Sequence, residues 1–283
     1  MGAAGLIEIK RRIDSIESTR KITKAMGLVA TSKLRKVRKM LVVNNNYSML
    51  TQEIMEEVVS ALPYEYESIY IDNKKNTGKL YIVLTSDTGL CGGFNNNVAA
   101  YLNEILPKEE RTSKIIVVGK KGITYLKKYG FTIDEKIIDI PDIPTDEEIN
   151  KIHNAISRLY EDGKVSEVNI VYTEFKSPIK QDPKIERILP IDKKEEKISN
   201  YSIEPDVDTV FKSALDVYLK SKIMKCLINS KVSEQSARRN AMDGATENAD
   251  DILQELNTKF NRIRQAMITQ EISEIIGGAE AQR

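Results

Sequence analysis

Proline is confined to the middle of this chain. All eight prolines lie between Pro63 and Pro205, so residues 1–62 and 206–283 hold none. Proline inside a helix removes a backbone donor and clashes with the preceding turn, so a proline-free end of that length is free to stay helical. The N-terminal end also carries a seam. Ile9, Ile13, Ile16, Arg20, Thr23, Gly27, Ala30, Leu34, Val37 and Leu41 follow one another in steps of four and three, the heptad step of a left-handed coiled coil. Its middle positions, Arg20, Thr23 and Gly27, are polar or small, which weakens simple dimer packing and lets a partner helix come close. A helix from about Ala4 to Leu62 spans roughly 85–90 Å at 1.5 Å per residue.

The C-terminal end follows the same logic. Asp206 or Asp208 can cap its start. Phe211, Leu215 and Tyr218 open an apolar stripe, and Ile252, Leu256, Phe260, Ile263 and Met267 continue one. Between them lie Ser236, Ala237, Ala241, Gly244, Ala245 and Ala249, small enough for two backbones to approach. Gly277-Gly278 offers a stop. About seventy residues of helix reach roughly 105 Å, whereas globular helices average about 11–12 residues. Two such ends predict one antiparallel coiled coil.

The middle changes period. Lys79–Thr85, Lys114–Val118 and Glu167–Phe175 read as strands, with Phe131–Ile133 a third in chain order and Lys184–Pro190 an edge strand. Phe94–Leu106, Lys120–Tyr129 and Asp146–Glu161 read as helices. Strands alternating with helices predict a Rossmann-like α/β sheet. The expected fold class is therefore α/β: a long antiparallel coiled coil of terminal helices plus a central α/β domain. The expected divisions are 1–77 for the first helix and its connector, 78–200 for the α/β domain and 201–283 for the last helix.

Charge is uneven. Arg20, Lys21, Lys24, Lys33, Arg35, Lys36, Arg38 and Lys39 fall in one stretch, and no acidic residue occurs between Glu17 and Glu53. Such a run suits an acidic or polyanionic partner. It lacks aromatics for base stacking and overlaps the coiled-coil seam, which ranks an acidic protein surface above nucleic acid. The longest apolar run, Leu80–Leu84, is too short to cross a bilayer. The opening residues lack the apolar centre of a secretory signal and read as a mature cytosolic start. Leu6 stands where a myristoylation motif needs Ser or Thr.

Catalytic and metal chemistry find little footing. Two cysteines, Cys91 and Cys226, and one histidine, His153, argue against a four-ligand zinc site or a disulfide framework. His153 lies in a helical stretch with no nucleophile motif and reads as a helix-surface residue. The loop Ser86–Asn95 (SDTGLCGGFN) follows a strand and precedes a helix, where phosphates often bind. Yet Gly89, Gly92 and Gly93 do not make the dinucleotide fingerprint, and no Walker lysine is followed by Ser or Thr. A tight strand-to-helix turn, with Cys91 as its small buried residue, fits better. Gly119 and Gly122, around Lys120-Lys121, likewise read as turn chemistry. Two further readings stay open on residues alone: a nucleotide-dependent enzyme with helical arms, and a coiled-coil nucleic-acid binder.

Three strings then become specific. Thr19-Arg20-Lys21-Ile22-Thr23-Lys24-Ala25-Met26, with Val29-Ala30 and Lys33-Leu34 after it, resembles the opening helix of the F-type ATP synthase gamma subunit of bacterial type. Ser86–Asn95, carrying Gly89, Cys91, Gly92 and Gly93, resembles the central signature of that family. Arg264–Ile272 followed by Ile275-Ile276-Gly277-Gly278 is similar to its C-terminal signature, and Ser233-Glu234-Gln235 and Ala241–Thr246 fit as well. The resemblance runs the length of the chain in order. It departs at Thr88, where the family usually has Arg or Lys, and at Ile203, where an aromatic is common.

The resemblance implies a non-catalytic rotor subunit without cofactor or metal. Its terminal helices form a shaft inside a ring of alpha and beta subunits. Its α/β domain forms a foot against the epsilon subunit and the c-ring, at the cytoplasmic side of the cell membrane and held there only through the complex. It implies beta-subunit contacts at Arg264, Gln265, Met26 and Lys24. A basic track follows at Arg20, Lys21, Lys33, Arg35 and Lys36, and an apolar tip at Ile268, Ile272, Ile275 and Ile276. Tyr201 and Glu204 match foot positions at the c-ring and epsilon.

Overall fold

The structure, a computed structural model, describes residues 2–63, 65–71, 78–106, 113–193 and 203–280. In chain order its elements are α1 (Gly2–Ser60), β1 (Lys79–Leu84), α2 (Phe94–Ile105), β2 (Lys114–Val118), α3 (Lys120–Lys128), β3 (Glu135–Ile137), α4 (Asp146–Glu161), β4 (Glu167–Phe175), β5 (Gln181–Leu189) and α5 (Val207–Glu280). The chain divides into two compact units, Met1–Val29 with Arg239–Arg283, and Ala30–Arg238.

The first unit is an antiparallel helix pair. Arg20 and Asp250 form an ion pair at 2.5 Å, the Thr23 and Thr246 hydroxyls meet at 2.9 Å, and Gly27 lies against Met242 and Asp243. As α1 advances, its partner positions on α5 recede. On α5 the inward stripe runs through Met242, Ala249, Leu253 and Leu256, all buried. Ile252 was expected in that stripe but is 38% exposed. Steps of four and three from Met242 pass through Leu253 instead, which puts Ile252 one position out of phase. Gly277-Gly278 does not stop the helix, which continues to Glu280. Neither glycine takes a positive φ, the conformation a left-handed cap requires.

The second unit holds a five-stranded sheet in the order β3-β2-β1-β4-β5. β1 lies between β2 and β4 and is parallel to both. Buried on two faces, it reads as a continuous apolar run rather than an alternation. Side chains alternate across the sheet. Leu80, Ile82 and Leu84 face a core shared with α4, with Met55 and Val59 of α1, and with Phe211, Leu215 and Leu219 of α5. Tyr81 and Val83 face the other core, with Val98 and Leu102 of α2 and Leu126 of α3. Thr145 and Glu148 form a capping box at the start of α4, and the Asp206 carboxylate accepts from the Thr209 N–H at the start of α5.

Two strand expectations shift. Phe131–Ile133 is not a strand. Gly130 takes a φ of +81°, the Phe131 N–H returns to the Leu126 carbonyl at 3.1 Å, and Phe131 is buried under α3 as the apolar residue of a helix stop. The chain joins β2 only at Glu135–Ile137. β5 begins at Gln181, earlier than Lys184, and includes Pro183 opposite Thr173. An edge strand tolerates proline because its outer side has no ladder bond to lose. His153 is not a surface residue. Its side chain is 15% exposed and lies 3.5 Å from the Asp216 carboxylate.

Candidate functional site

In an open α/β sheet, ligands bind outside the carboxyl ends of the strands. Here the end of β1 leads into the Ser86–Asn95 loop, which is held from within. The Asn95 side chain accepts from the Ser86 N–H at 2.9 Å and donates to the Ser86 hydroxyl at 2.7 Å. The Ser86 hydroxyl in turn donates to the Thr88 carbonyl at 2.7 Å. Gly92 supplies a φ of +57°, a backbone conformation that glycine adopts at no steric cost. Cys91 is buried beside Asn95, and burial pushes its thiol up from the ordinary range. A thiol held protonated is a poor nucleophile. Gly89 is half-buried, and Gly93 precedes α2 as its N-cap.

Two devices tie the neighbouring loops to this one. The Asp87 carboxylate accepts from the backbone N–H groups of Lys120, Asp139 and Ile140 at 3.0–3.1 Å. The Thr85 hydroxyl donates to the Val118 carbonyl at 2.7 Å and accepts from the Gly122 N–H. A Cβ on Gly119 or Gly122 would fall 2.4 Å from Thr85 atoms, so the glycine pair marks close backbone approach.

The crevice over these strand ends is filled by α5. Arg238 donates to the Thr88 carbonyl and hydroxyl at 3.2 and 2.9 Å and to the Gly89 carbonyl at 3.4 Å. Lys231 donates to the Ile140 carbonyl, Ser233 to that of Thr173 and Ser236 to that of Pro178. Glu234 pairs with Arg238 at 2.8 Å and lies 3.5 Å from the Lys231 ammonium. Lys231, Ser233, Glu234, Gln235, Ser236 and Arg238 are all buried. The loop carbonyls that would surround a ligand are thus already taken by one helix. Thr88, an acceptor for Arg238, does this work without a charge.

A second buried ionic cluster lies farther along α5. Lys222 and Lys225 both donate to the Glu186 carboxylate of β5, at 2.8–2.9 Å, and Lys222 also reaches Gln52 of α1 at 2.8 Å. Burial raises the Glu186 carboxyl, but the two ammonium groups outweigh it and hold the pKa at about 2. Tyr172 adds a hydroxyl donor at 3.2 Å. Sequence reasoning missed Lys222, Lys225, Lys231 and Arg238. The signal present was charge inside an apolar run, such as Lys222 and Lys225 among Ile223, Cys226 and Leu227.

The remaining predicted residues divide by exposure. Lys24, Arg264 and Gln265 are exposed and Met26 is half-buried. Lys21, Arg35 and Lys36 project to solvent, whereas Arg20 pairs with Asp250 and Lys33 with Asp142. Ile268, Ile272, Ile275 and Ile276 are 48–72% exposed. Glu204 is exposed, and Tyr201 lies outside the described residues. Among the described residues, no helix is long and apolar enough to cross a membrane, and no three His, Cys, Asp or Glu gather to hold a metal.

Comparison with known proteins places the chain. The profile of the family described as ATP synthase matches residues 5–282. The ATP synthase gamma chain of Clostridium botulinum is 51% identical over 283 residues, covering all of both chains. That of Clostridium beijerinckii is 51% identical over 282 residues, again covering 100% of each. In fold, the chain is similar to one in the Euglena gracilis mitochondrial ATP synthase OSCP/F1/c-ring structure. The TM-score is 0.77 at 20% identity, covering 99% of this chain and 95% of that one. A chain of the Tetrahymena thermophila central stalk/c-ring structure gives a TM-score of 0.60 at 24% identity, covering 79% and 99%. With a family match over nearly every residue and full-length relatives at half identity, this chain belongs to the ATP synthase gamma chain family.

Proposed function

We propose that the chain is the central-stalk rotor subunit of an F-type ATP synthase. In this role it couples ion-driven rotation of a c-ring to conformational change at beta-subunit catalytic sites, and it catalyses nothing itself. The full-length match to gamma chains carries the reading. The non-catalytic part is supported by the filled crevice: Arg238, Lys231, Ser233 and Ser236 occupy the carbonyls at the strand ends. By role, residues 1–77 and 201–283 are the stalk helices and 78–200 the foot. Partners are the alpha and beta subunits, the epsilon subunit and the c-ring, and through them the cytoplasmic face of the cell membrane.

The contact residues follow the same reading. Exposed Arg264, Gln265 and Lys24, with half-buried Met26, face a beta-subunit loop. Lys21, Arg35 and Lys36 supply the basic track, while Arg20 and Lys33 are already neutralised by Asp250 and Asp142. Ile268, Ile272, Ile275 and Ile276 turn in an apolar bearing, where burial is non-directional and sliding breaks no bonds. Glu204, with Tyr201, lies at the foot. A rotor shifts a site only by its differential affinity for that site's two states. Driving a site from mostly closed to mostly open takes about 5.5 kcal/mol, which an asymmetric surface can supply and a symmetric rod cannot.

The test is reconstitution. The purified chain alone should show no ATP turnover, and adding it to alpha and beta subunits should give an active assembly. Turnover by the isolated chain, or no gain on addition, overturns the proposal.

A further inference from the structure

The seam that joins α1 to α5 inside the second unit is apolar at both ends and polar between. Leu34 and Val37 pack with Ile228 and Val232, and Met55 and Val59 pack with Leu219 and Ile223. From Leu41 the same steps of three and four pass through Asn44, Ser48 and Thr51 before they reach Met55. Ser48 and Thr51 are buried, and so are Ser221, Lys222 and Asn229 on the facing stretch of α5. The two stretches meet in specific pairs. The Asn45 side chain accepts from Asn229 at 3.1 Å, the Thr51 and Ser221 hydroxyls meet at 2.6 Å, and Gln52 accepts from Lys222 at 2.8 Å. Lys222 also donates to Glu186 of β5, which ties this part of α5 to the sheet.

Polar groups at seam positions weaken a coiled coil, and their best-attested use is to choose its alignment. An apolar seam repeats every seven residues, so it matches itself again when one helix slides by a heptad. The polar pairs do not repeat in that way. From the observed pairing, a slide in one direction sets Thr51 against Ile228 and Lys222 against Val59. A slide in the other sets Thr51 against Ala214 and Gln52 against Leu215. Either one strands polar groups against apolar side chains, at the full desolvation cost of each group left unpaired.

We infer that Asn45, Thr51 and Gln52, with Asn229, Ser221 and Lys222, form a register lock that fixes the axial alignment of α1 on α5. The apolar layers on either side hold the helices together, and the polar pairs decide which residues face each other. A load along either helix cannot then move it by a heptad without stripping these pairs. The lock lies wholly within the Ala30–Arg238 unit and does not rest on the rotor reading.

Distances between two spin labels on the full chain test this. The labels sit at Val43 of α1 and Lys212 of α5, both exposed, with Cys91 and Cys226 replaced by alanine throughout. The parent should give one distance. Asn45→Leu, Thr51→Val and Gln52→Leu, with Asn229→Leu and Ser221→Ala, make the seam apolar and leave Lys222 on Glu186. The distance distribution of this variant should gain a second population displaced by about 10 Å, which is seven residues at 1.5 Å each. A folded variant that keeps the parent's single distance overturns the inference. So does a broad distribution with no population at that displacement, because it shows loosened packing and not a slide. If five substitutions prevent folding, Thr51→Val with Ser221→Ala, which barely changes side-chain volume, carries the same test. The displaced population then supports the lock, and its absence overturns it.

Discussion

Glu186 shows how one residue can hold three elements. Its carboxylate, on β5, takes both Lys222 and Lys225 of α5, and Lys222 in turn holds Gln52 of α1. The pair is almost dry, with side chains 7% and 14% exposed for Lys222 and Glu186. Because the folded pKa is depressed from 4.5 to about 2, the stabilisation is present above the ordinary carboxylate range. It is lost as pH falls through the window between those values. Glu186→Gln leaves buried Lys222 facing a neutral amide and should cost about 3 kcal/mol at neutral pH. It should also flatten the loss of stability across that acid window. Urea midpoints measured from pH 7 down to pH 2 check both, and a variant that matches the parent throughout refutes the role. The charges themselves were plain in the sequence. Their burial was not, because only the pairing of β5 with α5 removes them from water.

At the scale of elements, the two long helices were the most legible part of the chain. The four–three seam from Ile9 to Leu41 turned inward at every position, from half-buried Ile9 to fully buried Val37. Gly27 explains why one of those positions is small. A Cβ there would meet the Asp243 carboxylate at 3.1 Å and the Met242 Cβ at 3.5 Å. Gly27→Leu should therefore push the helices apart and cost about 1–3 kcal/mol, as overpacking does. Hydrogen exchange at residues 242–250 should rise with it, and unchanged protection there would count against close packing. The β3 strand was less legible. Phe131 looked like strand because it is apolar and precedes a charged turn, but Gly130 made it the end of α3.

At the scale of the whole molecule, the question is which surfaces the fold leaves unfinished. Extending the antiparallel pairing beyond Arg20 and Asp250, α1 runs out of residues near the level of Ile268. Every side chain described from 268 to 279 is exposed. Removing residues 268–283 should shift the melting temperature of the isolated chain by no more than about 2 °C, since exposed positions contribute little. The same truncation should weaken retention of the chain by an alpha–beta head in a pull-down at matched concentrations. A large drop in melting temperature would mean the tip belongs to the fold and not to a partner.

Local physics settled much from the sequence alone. The absence of proline and the phase of the apolar residues determine the helices, because both act within a turn or two. The bounds of β2, β4 and α4 match the expectation to the residue for the same reason. Only the tertiary structure decided what the body is. Arg238 meets Thr88 across 150 positions of sequence, and no local pattern announces a contact of that length. That contact and its neighbours occupy the loop carbonyls beyond the carboxyl ends of the strands, where open α/β sheets bind ligands. The Ser86–Asn95 loop, which on sequence could have belonged to a nucleotide site, became the surface that grips α5.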